Sequence, residues 1–210
     1  MYFHFPLPEF QIRKSAFRSH SEAQFVGFGS GSGSNLKALA EHEEKYRLRA
    51  IFSDRSSSCK QLAQTLNIPF LSLSPDQYSE EKIIHLLEEL QKREKFQIDA
   101  IFLAGYMRII REPLLRHFHN RIVNVHPGDL SIIGEDQERL YRGKDAVLKA
   151  MICREKSTRS TVHLVNHGVD EGKILCISDP LEVHYPKHIE QLLPQSIQMK
   201  TSSHLDSYIS

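Results

Sequence analysis

The chain has 210 residues, enough for one sizeable α/β domain with short appendages. A formal net charge of +1, with 25% charged residues, provides no general field for gathering nucleic acid or an anionic membrane. Its three cysteines, Cys59, Cys153 and Cys176, contain no Cys-x-x-Cys pair and no apolar run approaches the roughly 18 residues of a membrane span. A disulfide framework, a zinc knuckle and a membrane anchor are therefore not expected. A reducing, cytoplasmic setting with small-molecule partners, and with neither nucleic acid nor membrane, is.

Residues 1–24 interleave Phe3, Phe5, Leu7 and Phe10 with Pro6, Pro8, Arg13 and Lys14, without the continuous apolar core of a signal peptide. They read as an N-terminal extension to a domain spanning 25–185, with 186–210 as a tail of little apolar periodicity. Residues 25–28 predict a short buried strand that runs into a Gly/Ser loop at 29–35. Leu36, Leu39 and Ala40 then begin a helical spacing. Further strands are predicted at 49–53, 68–71, 98–105 and 121–125, alternating with helices at 56–66, from Ser79 through Leu90, and at 113–117. In the long helix Ile83, Leu86, Leu87 and Leu90 share one face. Residues 131–142 are polar and predict a loop with a helical turn, followed by a helix at 144–153 with Ala146, Val147, Ala150 and Met151 inward. Strands at 161–165 and 174–177, joined by a turn at 166–172, form an antiparallel pair. The alternation predicts an α/β fold: a doubly wound, mostly parallel, Rossmann-like sheet with an antiparallel C-terminal addition.

Three stretches carry the candidate chemistry. Gly31, Ser32, Gly33, Ser34 and Asn35 join a strand to a helix, where unshielded backbone N–H groups favour an anion, so a phosphate is the expected occupant. Gly-Lys-Ser/Thr does not follow, so this is not a P-loop. Asn124 and His126 lie two apart near a strand's carboxyl end and so project from one face, towards the crevice where open α/β sheets bind ligands. An amide and an imidazole there could stabilise an oxyanion and move a proton, although on these two residues alone they read equally well as polar residues that close a strand. Asp170, in a glycine-flanked turn, could hold His126 as a cation, but by itself it reads more readily as a turn residue.

Taken together, Gly31 to Leu36, the segment Ala104 to Ile109, the Asn124, His126 and Pro127 triplet, and Val162, His163, Gly168, Asp170 and Gly172 resemble the glycinamide ribonucleotide formyltransferase family over roughly residues 25–180. The resemblance implies transfer of a formyl group from 10-formyltetrahydrofolate to a primary amine. Asn124 and a protonated His126 would stabilise the tetrahedral intermediate, and Asp170 would support His126 and order a water. Residues 31–35 would bind the substrate phosphate. Met107, Arg108, Ile109 and Ile110, with Val165, Asn166, His167 and Gly168, would form the folate pocket, largely through backbone groups. No metal is implied, and a monomer or homodimer is expected.

After Pro127 the chain departs from the family pattern: residues 128–133 lack the aromatic and the proline that border the amine, and the connection runs longer. The acceptor is therefore left between glycinamide ribonucleotide and another amine, such as an amino sugar. Transfer to methionyl-tRNA and folate deformylation are disfavoured, because no second basic domain follows and no regulatory domain precedes residue 25. From other classes, a nucleotide- or folate-binding module without turnover is one alternative. A nicotinamide-binding domain with Gly29, Gly31 and Asp54 as its fingerprint is another, but Ser34 stands at the third glycine position.

Overall fold

A computed structural model describes residues 22–41, 46–55 and 57–183. The expected tail at 186–210 and nearly all of the expected N-terminal extension lie outside them. β1 (Ala23–Phe28) leads through the Gly/Ser loop into α1 (Ser34–Ala40). β2 (Tyr46–Ser53), α2 (Cys59–Thr65) and β3 (Phe70–Ser72) follow. Ser79 caps α3 (Glu80–Glu94) by accepting a hydrogen bond from the Lys82 N–H at 3.1 Å. β4 (Ala100–Ala104), α4 (Glu112–His117) and β5 (Ile122–His126) complete the parallel part. Beyond a long connection lie α5 (Ala146–Ile152), β6 (Ser157–Thr158), β7 (Thr161–Leu164), β8 (Ile174–Ile177) and β9 (Leu181–Glu182).

The main sheet has the order β3-β2-β1-β4-β5-β7-β8. Its first five strands are parallel, while β7 runs antiparallel to β5 and β8 antiparallel to β7. β6 and β9 pair separately as a two-residue antiparallel ladder. Strand periodicity divides the core between two faces. On one face Val26, Phe28, Phe52, Ile101 and Leu103 pack with Ile83, Leu87 and Leu90 of α3 and Leu114 of α4. On the other, Phe25, Ile51, Ala100, Phe102 and Val123 pack with Leu36 and Leu39 of α1 and Ala63 of α2. Burying each of the larger of these side chains stabilises the fold by about 1.5–3 kcal/mol. A small third cluster, Tyr141, Ala146 and Ala150 with Ile132 against it, sits apart from both.

The predicted architecture holds, with local corrections. β1 begins at Ala23, inside the expected extension, because Ala23 and Gln24 pair with Tyr46 and Arg47 of β2. β2 itself starts three residues earlier than its apolar run, since ladder pairing continues through its polar end. Leu86 is only half-buried, on the edge of the α3 stripe. Residues 131–142 form no helical turn; an isolated antiparallel bridge joins Ile133 to Arg139. Val147, expected inward, is 42% exposed because α5 turns Ala146 and Ala150 onto Tyr141 instead.

Candidate active site

β5 and β7 assemble the polar centre. Their antiparallel register sets Asn124 opposite His163 and His126 opposite Thr161, so Asn124, His126 and His163 share one face of the sheet. The turn after β7 then delivers Asp170, whose backbone is left-handed at φ 56°. A non-glycine residue in that region carries strain that its surroundings must offset. They do so heavily here. Asp170 Oδ2 lies 3.2 Å from His126 Nδ1 and accepts the Gly143 N–H at 2.8 Å. Its Oδ1 lies 3.2 Å from His163 Nε2 and accepts from Asn124 Nδ2 at 3.3 Å. Arg139 Nη1 donates to the Asp170 carbonyl at 2.6 Å.

Burial would raise the Asp170 pKa, but His163, the charge on His126 and the Gly143 amide together hold it down to about 2. His126 experiences the opposite balance: burial pulls its pKa below the ordinary value, and Asp170 and the Tyr141 carbonyl counteract this only in part. These directions pull against each other across one pair. The carboxylate stays charged in either state of the ring, because His163 and Gly143 hold it as well. A histidine held between a fixed carboxylate and a carbonyl can give up a proton and retake it.

The other nitrogen of the same ring is also engaged. His126 Nε2 donates to the backbone carbonyl of Tyr141 at 2.6 Å, and the ring is only 4% exposed. Gly128 makes this approach possible: a Cβ there would stand 2.9 Å from both His126 Nε2 and the Tyr141 oxygen, and 3.0 Å from the Ala146 Cβ. The sequence offered no sign of these contacts, since they are made by main-chain atoms of Tyr141 and Gly143 in a stretch without periodicity. His163 was not among the expected site residues; the β5–β7 register, which strand parity alone does not fix, places it opposite Asn124.

The loop expected to hold a phosphate lies at the same end of the sheet. Gly33 precedes α1 at φ +75°, a conformation that suits glycine, and passes within 3.3 Å of Cys59 Sγ when given a Cβ. The loop is fastened from beneath. Ser30 Oγ donates to Asp54 at 2.6 Å and accepts the Met107 N–H at 3.0 Å. Arg55 and Arg108 also donate to Asp54, at 2.9 and 3.0 Å. Burial alone would raise the Asp54 pKa, yet the bonds from Arg55, Ser30 and Arg108 bring it below the ordinary value. A carboxylate so fully engaged is not free to read a ribose, which removes the dinucleotide reading of Asp54.

The remaining expected ligand residues divide into two groups. Met107 and Ile109 are 58% and 64% exposed and offer apolar surface next to this loop. Arg108 stacks 3.9 Å above the Tyr78 ring while bound to Asp54. Ile110 is buried in the core, which leaves only its backbone for recognition. Val165 extends β7 by donating its N–H to the Ile122 carbonyl at 2.9 Å. Asn166 accepts the Gly168 N–H at 3.1 Å, and the exposed His167 lies 3.3 Å from Glu112.

The model of the family described as formyl transferase matches residues 23–201. The chain belongs to the formyl transferase family. Among curated relatives, the phosphoribosylglycinamide formyltransferase of Bacillus subtilis is 30% identical over 159 residues, which span 72% of this formyltransferase and 76% of the relative. A crystal structure of glycinamide ribonucleotide transformylase 1 from Geobacillus kaustophilus superposes with a TM-score of 0.67 at 30% identity, over 82% of this chain and 89% of that one. A phosphoribosylglycinamide formyltransferase structure from Bacillus halodurans gives 0.65 at 27% identity, over 80% and 84%. The chemistry is formyl transfer.

Proposed function

We propose that this formyltransferase moves the formyl group of 10-formyltetrahydrofolate onto the primary amine of glycinamide ribonucleotide, a step of purine biosynthesis. The amine nitrogen attacks the formyl carbon, and a tetrahedral intermediate forms with negative charge on oxygen. Asn124 and protonated His126 donate to that oxygen. As the carbon–nitrogen bond to the folate breaks, a proton leaves the amine and reaches the folate nitrogen, with His126 as carrier and Asp170 as its fixed counter-charge. The products are the formylated amine and tetrahydrofolate, so atoms and protons balance.

Residues 31–35 bind the phosphate of the ribonucleotide. The backbone of 107–110 and of 165–168 reads the pterin, with Met107 and Ile109 covering apolar parts of the folate. The observation that carries this reading is the meeting of Asn124, His126 and Asp170, from β5 and a distant turn, around one carboxylate. The names of the similar proteins support the choice of acceptor. The test is a transfer assay with 10-formyl-5,8-dideazafolate as donor against glycinamide ribonucleotide and a panel of other amines, amino sugars included. Formylation of glycinamide ribonucleotide above all others is the expected result. Preference for another amine would replace the acceptor, and no transfer to any would overturn the reading.

A further inference from the structure

The Gly/Ser loop and the segment 106–110 follow different strands, β1 and β4, yet one residue joins them. Ser30 donates its backbone N–H to the Gly105 carbonyl at 3.3 Å, and its Oγ accepts the Met107 N–H at 3.0 Å. The same hydroxyl donates to Asp54 Oδ1 at 2.6 Å. An ionised carboxylate only accepts, so it fixes which way the hydroxyl points and leaves the oxygen's lone pairs to Met107. Ser30 and Asp54 are both buried, where water competes little for these bonds. Asp54 reaches the segment a second time, through Arg108 Nε on its Oδ2 at 3.0 Å.

The far end of the segment is fixed independently. Buried Glu80 of α3 accepts the Arg111 N–H at 2.7 Å and the Leu114 N–H at 3.2 Å. Between these two anchors Met107 and Ile109 stay exposed. Of the two, the Ser30 anchor also belongs to the Gly/Ser loop, one residue before Gly31.

We propose that Ser30, oriented by Asp54, is a positioning residue that couples the two substrate subsites, so that a phosphate held at 31–35 tightens folate binding at 107–110 and the reverse. This rests on the proposed places of the phosphate and the folate. Neither the Ser30 hydroxyl nor Asp54 has to touch a substrate. A ligand that orders one loop orders the end that both share, and the second ligand then loses less freedom on binding. Such coupling is reciprocal and typically about five- to 150-fold in affinity, and a clip of two hydrogen bonds belongs at the low end.

The test measures by calorimetry the affinity of the full chain for 5,8-dideazafolate, which carries no formyl group to transfer. It is titrated alone, with saturating glycinamide ribonucleotide, and with saturating inorganic phosphate. In the wild type either phosphate compound tightens the folate roughly five- to tenfold. In Ser30→Ala that factor falls to about twofold or less. Glu80→Gln, which loosens the far anchor, weakens folate binding but keeps the factor. Asp54→Asn, which removes the charge that orients the hydroxyl, lowers the factor too and is read in place of Ser30→Ala should that variant not fold. Absence of tightening in the wild type by either compound overturns the coupling, as does the full factor in Ser30→Ala or in its substitute. Loss of the factor in Glu80→Gln also overturns it, because any loosening of the segment would then suffice. Tightening by inorganic phosphate but not by glycinamide ribonucleotide supports the coupling and overturns the proposed acceptor instead. A chain that does not bind the folate analogue at all overturns the proposed donor, and the coupling with it.

Discussion

Two connections leave carboxyl ends of parallel strands and meet different fates. After β1 the loop at 29–33 turns tightly into α1 and is tied down from below, by Asp54 through Ser30 and by the Gly105 carbonyl. After β5 the connection continues to residue 145 before its helix begins and folds back over the strand that launched it. The first is held on its inner side and leaves Gly31, Ser32 and Ser34 exposed. The second directs its polar main chain inward, onto His126 and Asp170. A loop's length and what it hydrogen-bonds thus decide whether the end of a strand stays open or is covered.

The largest effect separating these regions is expected from His126→Ala. Losing a positioned acid–base group should lower kcat by about 10²- to 10⁴-fold, with phosphate-loop binding unchanged; a normal kcat would remove His126 from the chemistry. Asp170→Asn acts on the covered region through charge. Its folded pKa of about 2 lies below the ordinary carboxylate value of 3.8, so its contribution is present above the higher value and is lost as pH falls through the lower. That contribution is about 2 kcal/mol near neutrality. Urea unfolding should therefore show the variant less stable at pH 7 and the difference fading in acid; a difference independent of pH would disprove the coupling.

Gly128→Ala comes next. Its methyl would press on His126, the Tyr141 carbonyl and Ala146, and overpacking of this kind costs about 1–3 kcal/mol. Thermal unfolding should record that loss, and full stability would mean that the chain around Tyr141 yields freely. The smallest effect belongs to the fastened loop. Asp54→Asn keeps the shape but weakens the bonds from Arg108 and Arg55, so KM for both substrates should rise about three- to tenfold with kcat nearly retained. A fall in kcat alone would separate Asp54 from substrate positioning.

Much of this was legible in the residues. The apolar runs of β1, β4 and β5, and the α3 stripe through Ile83, Leu87 and Leu90, declare strand and helix by periodicity alone. The two-residue spacing of Asn124 and His126 declares their common face. The start of β2 was missed because its exposed Arg47 breaks the apolar run while the ladder continues. Val147 was misassigned because helical spacing identifies a stripe without saying which neighbour it meets.

By itself, the sequence determined the parallel α/β core and the glycine loop at the first strand's end, because side-chain type and spacing encode burial and local conformation; Asn124, His126 and Asp170 stood out as one group only through the resemblance to a known family. Only the tertiary structure decided that Asp54 fastens the loop and that the Tyr141 carbonyl and the Gly143 amide close over His126 and Asp170. Every residue carries the same carbonyl and almost every one the same amide, so main-chain groups leave no mark in a sequence until the fold sets them against a partner.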